Sequence, residues 1–103
     1  MKKGRASVLR VTDLLARSPA AQMVSGSGTI KISGITSDSR QIHQGNLFVA
    51  IPGVKINGED YIPDALTRGA VAVLCSPDYH TIDLSSITRL TAENPRQALS
   101  QLA

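Results

Sequence analysis

The run of residues 35–40 gathers hydroxyl groups, a carboxylate and a guanidinium at the end of a predicted strand; it reads Ile-Thr-Ser-Asp-Ser-Arg. Ser37 and Ser39 are spaced by two, so in an extended chain they face the same side and can hydrogen-bond to a base edge or a phosphate oxygen. Arg40 can add a charge-assisted bond, worth about 1.5 to 3 kcal/mol when shielded from water. The ends of strands are where open α/β sheets bind ligands, so we predict a ligand site here.

The same run also has a purely structural interpretation. Asp38 can form an Asx turn and pair with Arg40 to hold the bend, and the residues alone do not decide between the two roles. A catalytic base at Asp38 is disfavoured, because no second carboxylate, nucleophile or metal ligand accompanies it in the sequence. We therefore expect neither a catalytic residue nor a metal site in this chain.

A loop bracketed by glycines, residues 53–58, is the second candidate; it reads Gly-Val-Lys-Ile-Asn-Gly. Gly53 and Gly58 allow the backbone to approach a ligand closely. Lys55 offers a cation to a diphosphate, and the N-terminus of the following helix offers free amides with the same preference for anions. The alternative is a tight turn at Asn57 and Gly58 with a solvated lysine.

The elements before the first candidate are predicted from hydrophobic spacing. A short amphipathic helix follows a loose basic tail at residues 1–7 and ends at Ser18. Residues 19–28 are rich in Ser, Gly and Ala and predict a loop with little packing of its own. The alternation at Ile30 and Ile32 then predicts one half-buried strand that delivers the polar run at its end.

A parallel crossover unit is predicted around the second candidate. The apolar run 47–51 is too short for a typical helix and predicts a strand covered on both faces. A helix from Asp60, with Gly69 as its left-handed C-terminal residue, leads to a second buried strand at 70–75. A strand at 87–90 and a helix starting at residues 94–95 complete an α/β fold, with a small mixed or parallel sheet flanked by short helices.

Composition restricts the class of partner. The chain has 103 residues and a net charge of +3, which suits one small domain at 8–103. Three of its basic residues lie in the first five positions, and Phe48, Tyr61 and Tyr79 have no basic cluster around them, so we expect no nucleic acid partner. A lone cysteine, Cys75, favours a buried position and a cytoplasmic location. No segment predicts a membrane span or a signal peptide.

Familiar catalytic signatures are absent from the sequence. It contains no Gly-rich loop ending in Gly-Lys-Ser/Thr, no Rossmann glycine fingerprint and no Cys/His metal pattern. The closing helix has no C-terminal signal, which is typical of a domain excised from a longer protein. We therefore expect that the chain alone does not hydrolyse ATP.

An ordered set of motifs resembles the opening domain of the Mur ligases. It comprises Ser-Asp-Ser-Arg at 37–40, Gly-Asn-Leu-Phe-Val-Ala at 45–50 and Gly-Ala-Val-Ala-Val-Leu at 69–74, with Gly53, Gly58 and Ala65 between them. The likeness runs from about Val8 to the end of the chain. The Ser-Asp-Ser-Arg form is most similar to the UDP-N-acetylmuramoyl-tripeptide synthetase (MurE) type, and the MurF type is the alternative.

The resemblance implies a role in peptidoglycan biosynthesis. In the family this domain holds the UDP end of UDP-N-acetylmuramoyl-L-alanyl-D-glutamate for an ATP-dependent ligase that adds meso-diaminopimelate or L-lysine. ATP and Mg²⁺ are then expected in the parent enzyme and not in this fragment, since the central and C-terminal domains are missing. The implied reaction activates the D-glutamate side-chain carboxylate as an acyl phosphate, which the new amine attacks.

The resemblance also assigns roles residue by residue. The family's uridine contacts fall on Ser37 and Ser39, and its loop contacts fall on Val54, Lys55 and Ile56. The expected supports of these contacts are Asp38, Arg40, Gly53, Asn57 and Gly58. If one ligand uses both segments, they must converge in space.

Three departures from the family pattern leave another role open. The family often has Asp where this chain has Asn57 and a His near Glu59, and its loop triplet is commonly more polar than Val-Lys-Ile. A regulatory or protein-interaction domain on the same scaffold is therefore an alternative to nucleotide binding.

Overall fold

Five strands pair into one mixed sheet in the computed structural model, which describes residues 9–53 and 55–102. The sheet contains β2 (Gln22–Ser25), β4 (Gly34–Thr36), β5 (Asn46–Val49), β6 (Ala72–Cys75) and β7 (Thr88–Thr91). Their order is β2-β7-β6-β5-β4. The pairs from β4 to β7 are parallel, and β2 is antiparallel to β7. A separate antiparallel pair joins β1 (Leu9–Arg10) to β3 (Lys31–Ile32).

Different helices cover the two faces of the sheet, because successive side chains of a strand point to opposite sides. Phe48 and Val73 pack in one cluster with α2 (Ile62–Thr67). Leu47 and Leu74 pack in the other cluster with α1 (Val11–Arg17) and α3 (Pro95–Leu102). All residues of β5 and β6 are buried, which confirms the prediction of strands covered on both faces.

The predicted crossover is confirmed, since β5, α2 and β6 follow one another and β5 pairs in parallel with β6. A 3-10 helix, Gly58–Tyr61, precedes α2, so the α-helix begins at Ile62 and not at Asp60. Gly69 has a φ of 116° at the end of α2. The Oδ1 atom of Asn94 accepts a 3.1 Å hydrogen bond from the Gln97 amide, as expected of the N-cap of α3. The fold class, α/β with short flanking helices, is therefore confirmed.

The prediction of an unpaired loop at 19–28 is wrong, because β2 lies inside it. Gln22 pairs with Thr91 and Met23 with Leu90, and the register shifts between Met23 and Ser25. The composition of this segment favours a loop, but pairing with the free edge of β7 overrides local preference. The predicted tail at 1–7 lies outside the described residues.

The single strand predicted from Ile30 divides at Ser33. Ile32 pairs with Leu9 in the small ribbon, whereas Gly34 pairs with Asn46 in the main sheet. The Ser33 amide instead donates a 3.0 Å hydrogen bond to the Gly45 carbonyl. Two strands therefore form because the chain changes pairing partner at this residue.

Parallel pairing brings the segments that follow β4, β5, β6 and β7 to the same edge of the sheet. Residues 37–40 follow β4, residues 50–58 follow β5, and Ser76 follows β6. Both candidate segments therefore start at the carboxyl edge, as the sequence predicts.

Cys75 is fully buried, which confirms its predicted position. Burial raises the pKa of the thiol, and the nearby Arg89 opposes this shift. No helix within residues 9–53 and 55–102 has the length and apolar character needed to cross a membrane.

Two valines provide a matched test of the sheet. Val73 is fully buried, whereas Val24 on β2 is 59% exposed. We expect Val73→Ala to lower the free energy of unfolding by about 2 to 3 kcal/mol, from two lost methyl groups and the cavity they leave. Val24→Ala should change it by less than about 0.5 kcal/mol. Urea unfolding measures both, and equal losses would contradict the sheet packing.

Candidate functional site

An open cleft of about 430 Å³ lies at the carboxyl edge of the sheet, beside the ends of β4 and β5. Its lining comprises Ser37, Asp38, Ser39, Arg40, Ile56, Gly58 and Tyr61. The two segments singled out in the sequence therefore converge on one cavity. Its volume lies within the roughly 300 to 1,000 Å³ typical of small-molecule sites.

One wall of the cleft is a polar turn that begins directly after β4. The Thr36 hydroxyl accepts a 3.1 Å hydrogen bond from the Asp38 amide. Asp38 is extended, and a 3-10 helix, Ser39–Gln41, starts after it. Ser37 is exposed at the mouth, whereas Ser39 is only 5% exposed. The two serines thus line the same cleft at different depths.

Asp38 holds this turn by binding Arg40. Its Oδ1 atom accepts hydrogen bonds from the Arg40 amide at 2.9 Å and from Arg40 Nε at 3.0 Å. Its Oδ2 atom accepts a third bond from an Arg40 terminal nitrogen at 2.9 Å. The structural interpretation of this pair is confirmed. Two nitrogens of the guanidinium, Nε and one terminal nitrogen, already donate hydrogen bonds to the carboxylate.

The Asp38–Arg40 contact changes the titration of both groups. Hydrogen bonds from the Arg40 side chain and then from its backbone lower the pKa of Asp38 below its ordinary value of 3.8. The same side-chain bond raises the pKa of Arg40. The pair is therefore ionised throughout the neutral range and adds no net charge to the cleft.

The opposite wall is apolar. Ile56 is 72% exposed and Tyr61 is 46% exposed, although both are large hydrophobic side chains. Exposed apolar groups gathered on one cavity often mark a binding surface. Sequence reasoning missed Tyr61, which was weighed only as an isolated aromatic; its place shortly after the glycine loop was the available signal.

The loop that carries Ile56 is closed by tight backbone contacts. The Gly58 amide donates a 2.8 Å hydrogen bond to the Ile51 carbonyl. A Cβ atom at Gly58 would lie 2.6 Å from the Ile51 nitrogen, and one at Gly53 would lie 2.3 Å from the Ile56 carbonyl oxygen. Both positions therefore require glycine for the approach of backbone to backbone.

The prediction that free amides follow this loop is wrong for residues 58–60. The Gly58 amide is bound to Ile51, as described above. The Glu59 amide donates to Asn57 Oδ1 at 3.1 Å, and the Asp60 amide donates to the Asn57 carbonyl at 3.0 Å. The chain itself satisfies these donors, because Asn57 caps the 3-10 helix.

Three other candidate residues, Gly53, Lys55 and Asn57, are not among the residues that line the cleft. Lys55 is exposed but is not part of the lining, and Val54 lies outside the described residues. Gly53 and Asn57 shape the loop through its backbone, Gly53 by the close approach to Ile56 and Asn57 by its hydrogen bond to the Glu59 amide. Ligand contacts at these positions stay predictions.

No candidate metal site is found within the described ranges, 9–53 and 55–102. Within them, no three His, Cys, Asp or Glu side chains gather closely enough to hold a metal ion. Hydroxyl groups and apolar side chains dominate the cleft, which suits an organic ligand with hydrogen-bonding groups.

Comparison with known proteins identifies relatives of this chain. A family model described as "Mur ligase family, catalytic domain" matches residues 31–103. Two curated relatives are named UDP-N-acetylmuramoyl-L-alanyl-D-glutamate--2,6-diaminopimelate ligase. The one from Rhizobium meliloti is 48% identical over 69 residues, which are 64% of this chain and 14% of the relative. The one from Chlorobium phaeobacteroides is 36% identical over 96 residues, which are 92% of this chain and 19% of the relative.

Solved structures share the fold. A structure described as UDP-N-acetylmuramoylalanyl-D-glutamyl-2,6-diaminopimelate--D-alanyl-D-alanyl ligase from Acinetobacter baumannii superposes with a TM-score of 0.70. The superposition covers 91% of this chain and 20% of that protein, and the two sequences are 19% identical. MurF from Thermotoga maritima in complex with ADP gives a TM-score of 0.53 at 26% identity, over 66% of this chain and 15% of that protein.

The Asp38–Arg40 contact is testable by titration. In Arg40→Ala we expect the pKa of Asp38 to rise back towards its ordinary value, because both its side-chain hydrogen bonds and the adjacent charge are lost. Arg68→Ala should raise it much less, since Arg68 contributes the smallest of the lowering effects. Carboxyl carbon shifts followed by NMR from pH 6 to pH 2 measure both.

The sign of the linked stability follows from the lowered pKa. The contact stabilises the fold above the unfolded-state pKa of Asp38, and that contribution is lost as the pH falls through the lower folded-state pKa. If the pKa of Asp38 were the same in the unsubstituted chain as in Arg40→Ala, the turn geometry would be contradicted.

Proposed function

This chain belongs to the Mur ligase family, and we propose that it binds the uridine diphosphate end of a nucleotide-sugar precursor. One observation carries the proposal: residues 37–40 and the segment 56–61, which are separate in sequence, line one cleft at the carboxyl edge of the sheet. Such edges are the usual ligand sites of open α/β sheets.

The two walls of the cleft suit the two kinds of surface of the uracil ring of uridine, its flat faces and its polar edge. A pyrimidine ring has flat faces that pack on an aromatic or branched apolar side chain, and Tyr61 and Ile56 offer such surfaces. Its edge carries hydrogen-bond donors and acceptors, which the hydroxyls of Ser37 and Ser39 can satisfy. We propose that these serines select the ligand by hydrogen bonding, since Asp38 and Arg40 neutralise each other.

The whole protein's activity is a further part of the proposal. The chain spans 14% to 19% of the length of the curated relatives compared above. We propose that its parent joins 2,6-diaminopimelate to UDP-N-acetylmuramoyl-L-alanyl-D-glutamate, as those relatives' names state. Holding the nucleotide end of that substrate would orient a distant carboxylate for reaction without contacting it.

ATP and Mg²⁺ are assigned to other parts of the parent protein. The sequence has no Gly-Lys-Ser/Thr phosphate loop, and the described residues form no metal-ligand cluster. The residues of this chain therefore do not fit these groups. We assign no catalytic residue to this chain.

The MurF-type ligase is the second candidate for the parent, because MurF from Thermotoga maritima shares the fold at 26% identity. The curated relatives of 36% to 48% identity favour the diaminopimelate-adding type instead. The full-length protein separates the two. It should consume the dipeptide precursor with 2,6-diaminopimelate, and not the diaminopimelate-containing precursor with D-alanyl-D-alanine.

Uridine diphosphate binding is tested by titrating UDP into the 103-residue chain and following backbone amide shifts. We expect the shifts to concentrate at residues 37–40 and 55–61. Ser37→Ala should weaken binding about threefold to tenfold, in line with the roughly 0.5 to 1.5 kcal/mol of one hydrogen bond. Ser39→Ala should also weaken binding while the fold persists.

An exposed serine away from the cleft, Ser86, gives the matched control. Ser86→Ala should bind UDP with the same affinity as the unsubstituted chain. Absence of shifts in both segments, or equal losses in Ser37→Ala and Ser86→Ala, would refute the proposed site.

A further inference from the structure

A carboxylate ties the loop beside the cleft to the next strand of the sheet. Glu59 Oε2 accepts a 3.0 Å hydrogen bond from the backbone amide of Ser76, the residue directly after β6. In the ranges that the structure describes, no other hydrogen bond joins residues 51–61 to β6 or to the loop after it. The ends of the loop are held on the sheet by the hydrogen bond from the Ala50 amide to the Leu74 carbonyl and by the burial of Ile62. The Glu59 bond adds a polar contact between the 3-10 helix and the end of β6.

The remaining hydrogen bonds of the loop are local. Gly58 binds Ile51, and Asn57 accepts bonds from the Glu59 and Asp60 amides. These contacts give the loop its internal shape. None of them reaches β6, so within residues 51–61 the hydrogen bond towards the end of that strand comes from the Glu59 side chain.

The anchor point is itself held from the other side. One terminal nitrogen of Arg89, on β7, donates to the Ser76 carbonyl at 3.3 Å and to the Tyr79 carbonyl at 2.9 Å. The Ser76 residue is thus held by Glu59 through its amide and by Arg89 through its carbonyl. The 3-10 helix that carries Glu59 and strand β7 that carries Arg89 therefore meet at the residue directly after β6.

We propose that Glu59 is a positioning residue for the cleft, an inference that rests on the proposed nucleotide-binding function. Its neighbours Gly58 and Tyr61 line the cavity, whereas Glu59 itself does not. The carboxylate acts through the backbone: by holding the 3-10 helix on β6, it keeps Ile56 and Tyr61 at the distance from the serine turn that one ligand requires. No ligand contact by Glu59 is involved.

The length of the side chain and its acceptor oxygen are the properties that matter, so three substitutions separate the possible causes. Glu59→Gln keeps both, because an amide oxygen also accepts from the Ser76 amide. Glu59→Asp keeps the charge but is one methylene too short. Glu59→Ala removes the acceptor. Glu93→Ala is the matched control, since Glu93 is an exposed glutamate outside the cleft lining.

The experiment measures UDP affinity and, without ligand, amide hydrogen exchange at Ser76 and residues 55–61. We expect Glu59→Ala and Glu59→Asp to weaken UDP binding at least fivefold and to exchange at least fivefold faster at Ser76. In Glu59→Gln and Glu93→Ala, the UDP affinity and the exchange rate at Ser76 should stay within twofold of those of the unsubstituted chain. Should Glu59→Ala fail to fold, Glu59→Asp provides the same comparison with the charge retained.

The outcomes distinguish this inference from the proposed function. Parent-like affinity in both Glu59→Ala and Glu59→Asp overturns the positioning role. An equal loss in Glu59→Gln also overturns it, because that variant keeps the acceptor oxygen and the side-chain length on which the role depends. If the unsubstituted 103-residue chain shows no UDP binding, the proposed function fails. The ligand-free exchange at Ser76 then still decides whether Glu59 holds the loop.

Discussion

Parallel pairing of four neighbouring strands is the constraint on which the candidate site depends. Thr36 is level with Phe48, Val49 with Leu74, and Cys75 with Thr91. Because β5 and β6 are buried on both faces, a slip of one residue would exchange the side chains that face α2 with those that face α1 and α3. The register is thereby fixed, and with it the points at which the polar turns leave the sheet.

The cleft is built from two turns of the same local design. In each, an Asp or Asn side chain accepts a hydrogen bond from the amide two residues later and starts a 3-10 helix: Asp38 binds the Arg40 amide and Asn57 binds the Glu59 amide. In each turn, this amide is therefore bound before any ligand is present. What remains for a ligand is a set of serine hydroxyls and two exposed apolar side chains.

The sequence predicted the features that depend on local pattern. The buried strands, the crossover helix and the two candidate segments follow from short apolar runs, glycines and clustered polar residues near one another in the chain. β2 escaped prediction because its pairing with β7 joins distant segments, such as Met23 with Leu90. The contact of Glu59 was missed for the same reason, since it reaches Ser76. Tyr61 was missed although its signal was local, because it was considered apart from the glycine loop that it follows. Free amides were expected at the N-terminus of the helix predicted from Asp60. The helical segment instead begins at Gly58, and the amides of residues 58–60 are bound by Ile51 and Asn57.

The mutual neutralisation of Asp38 and Arg40 has a kinetic consequence. Over the lining residues the formal charges cancel, so this cavity generates little long-range field of its own to attract an anionic molecule from solution. Any electrostatic attraction of an anion would therefore come from charges outside the lining, such as the exposed Lys55, and the cavity itself would contribute local fit. Recognition in such a cavity rewards molecular shape and hydrogen bonding over charge.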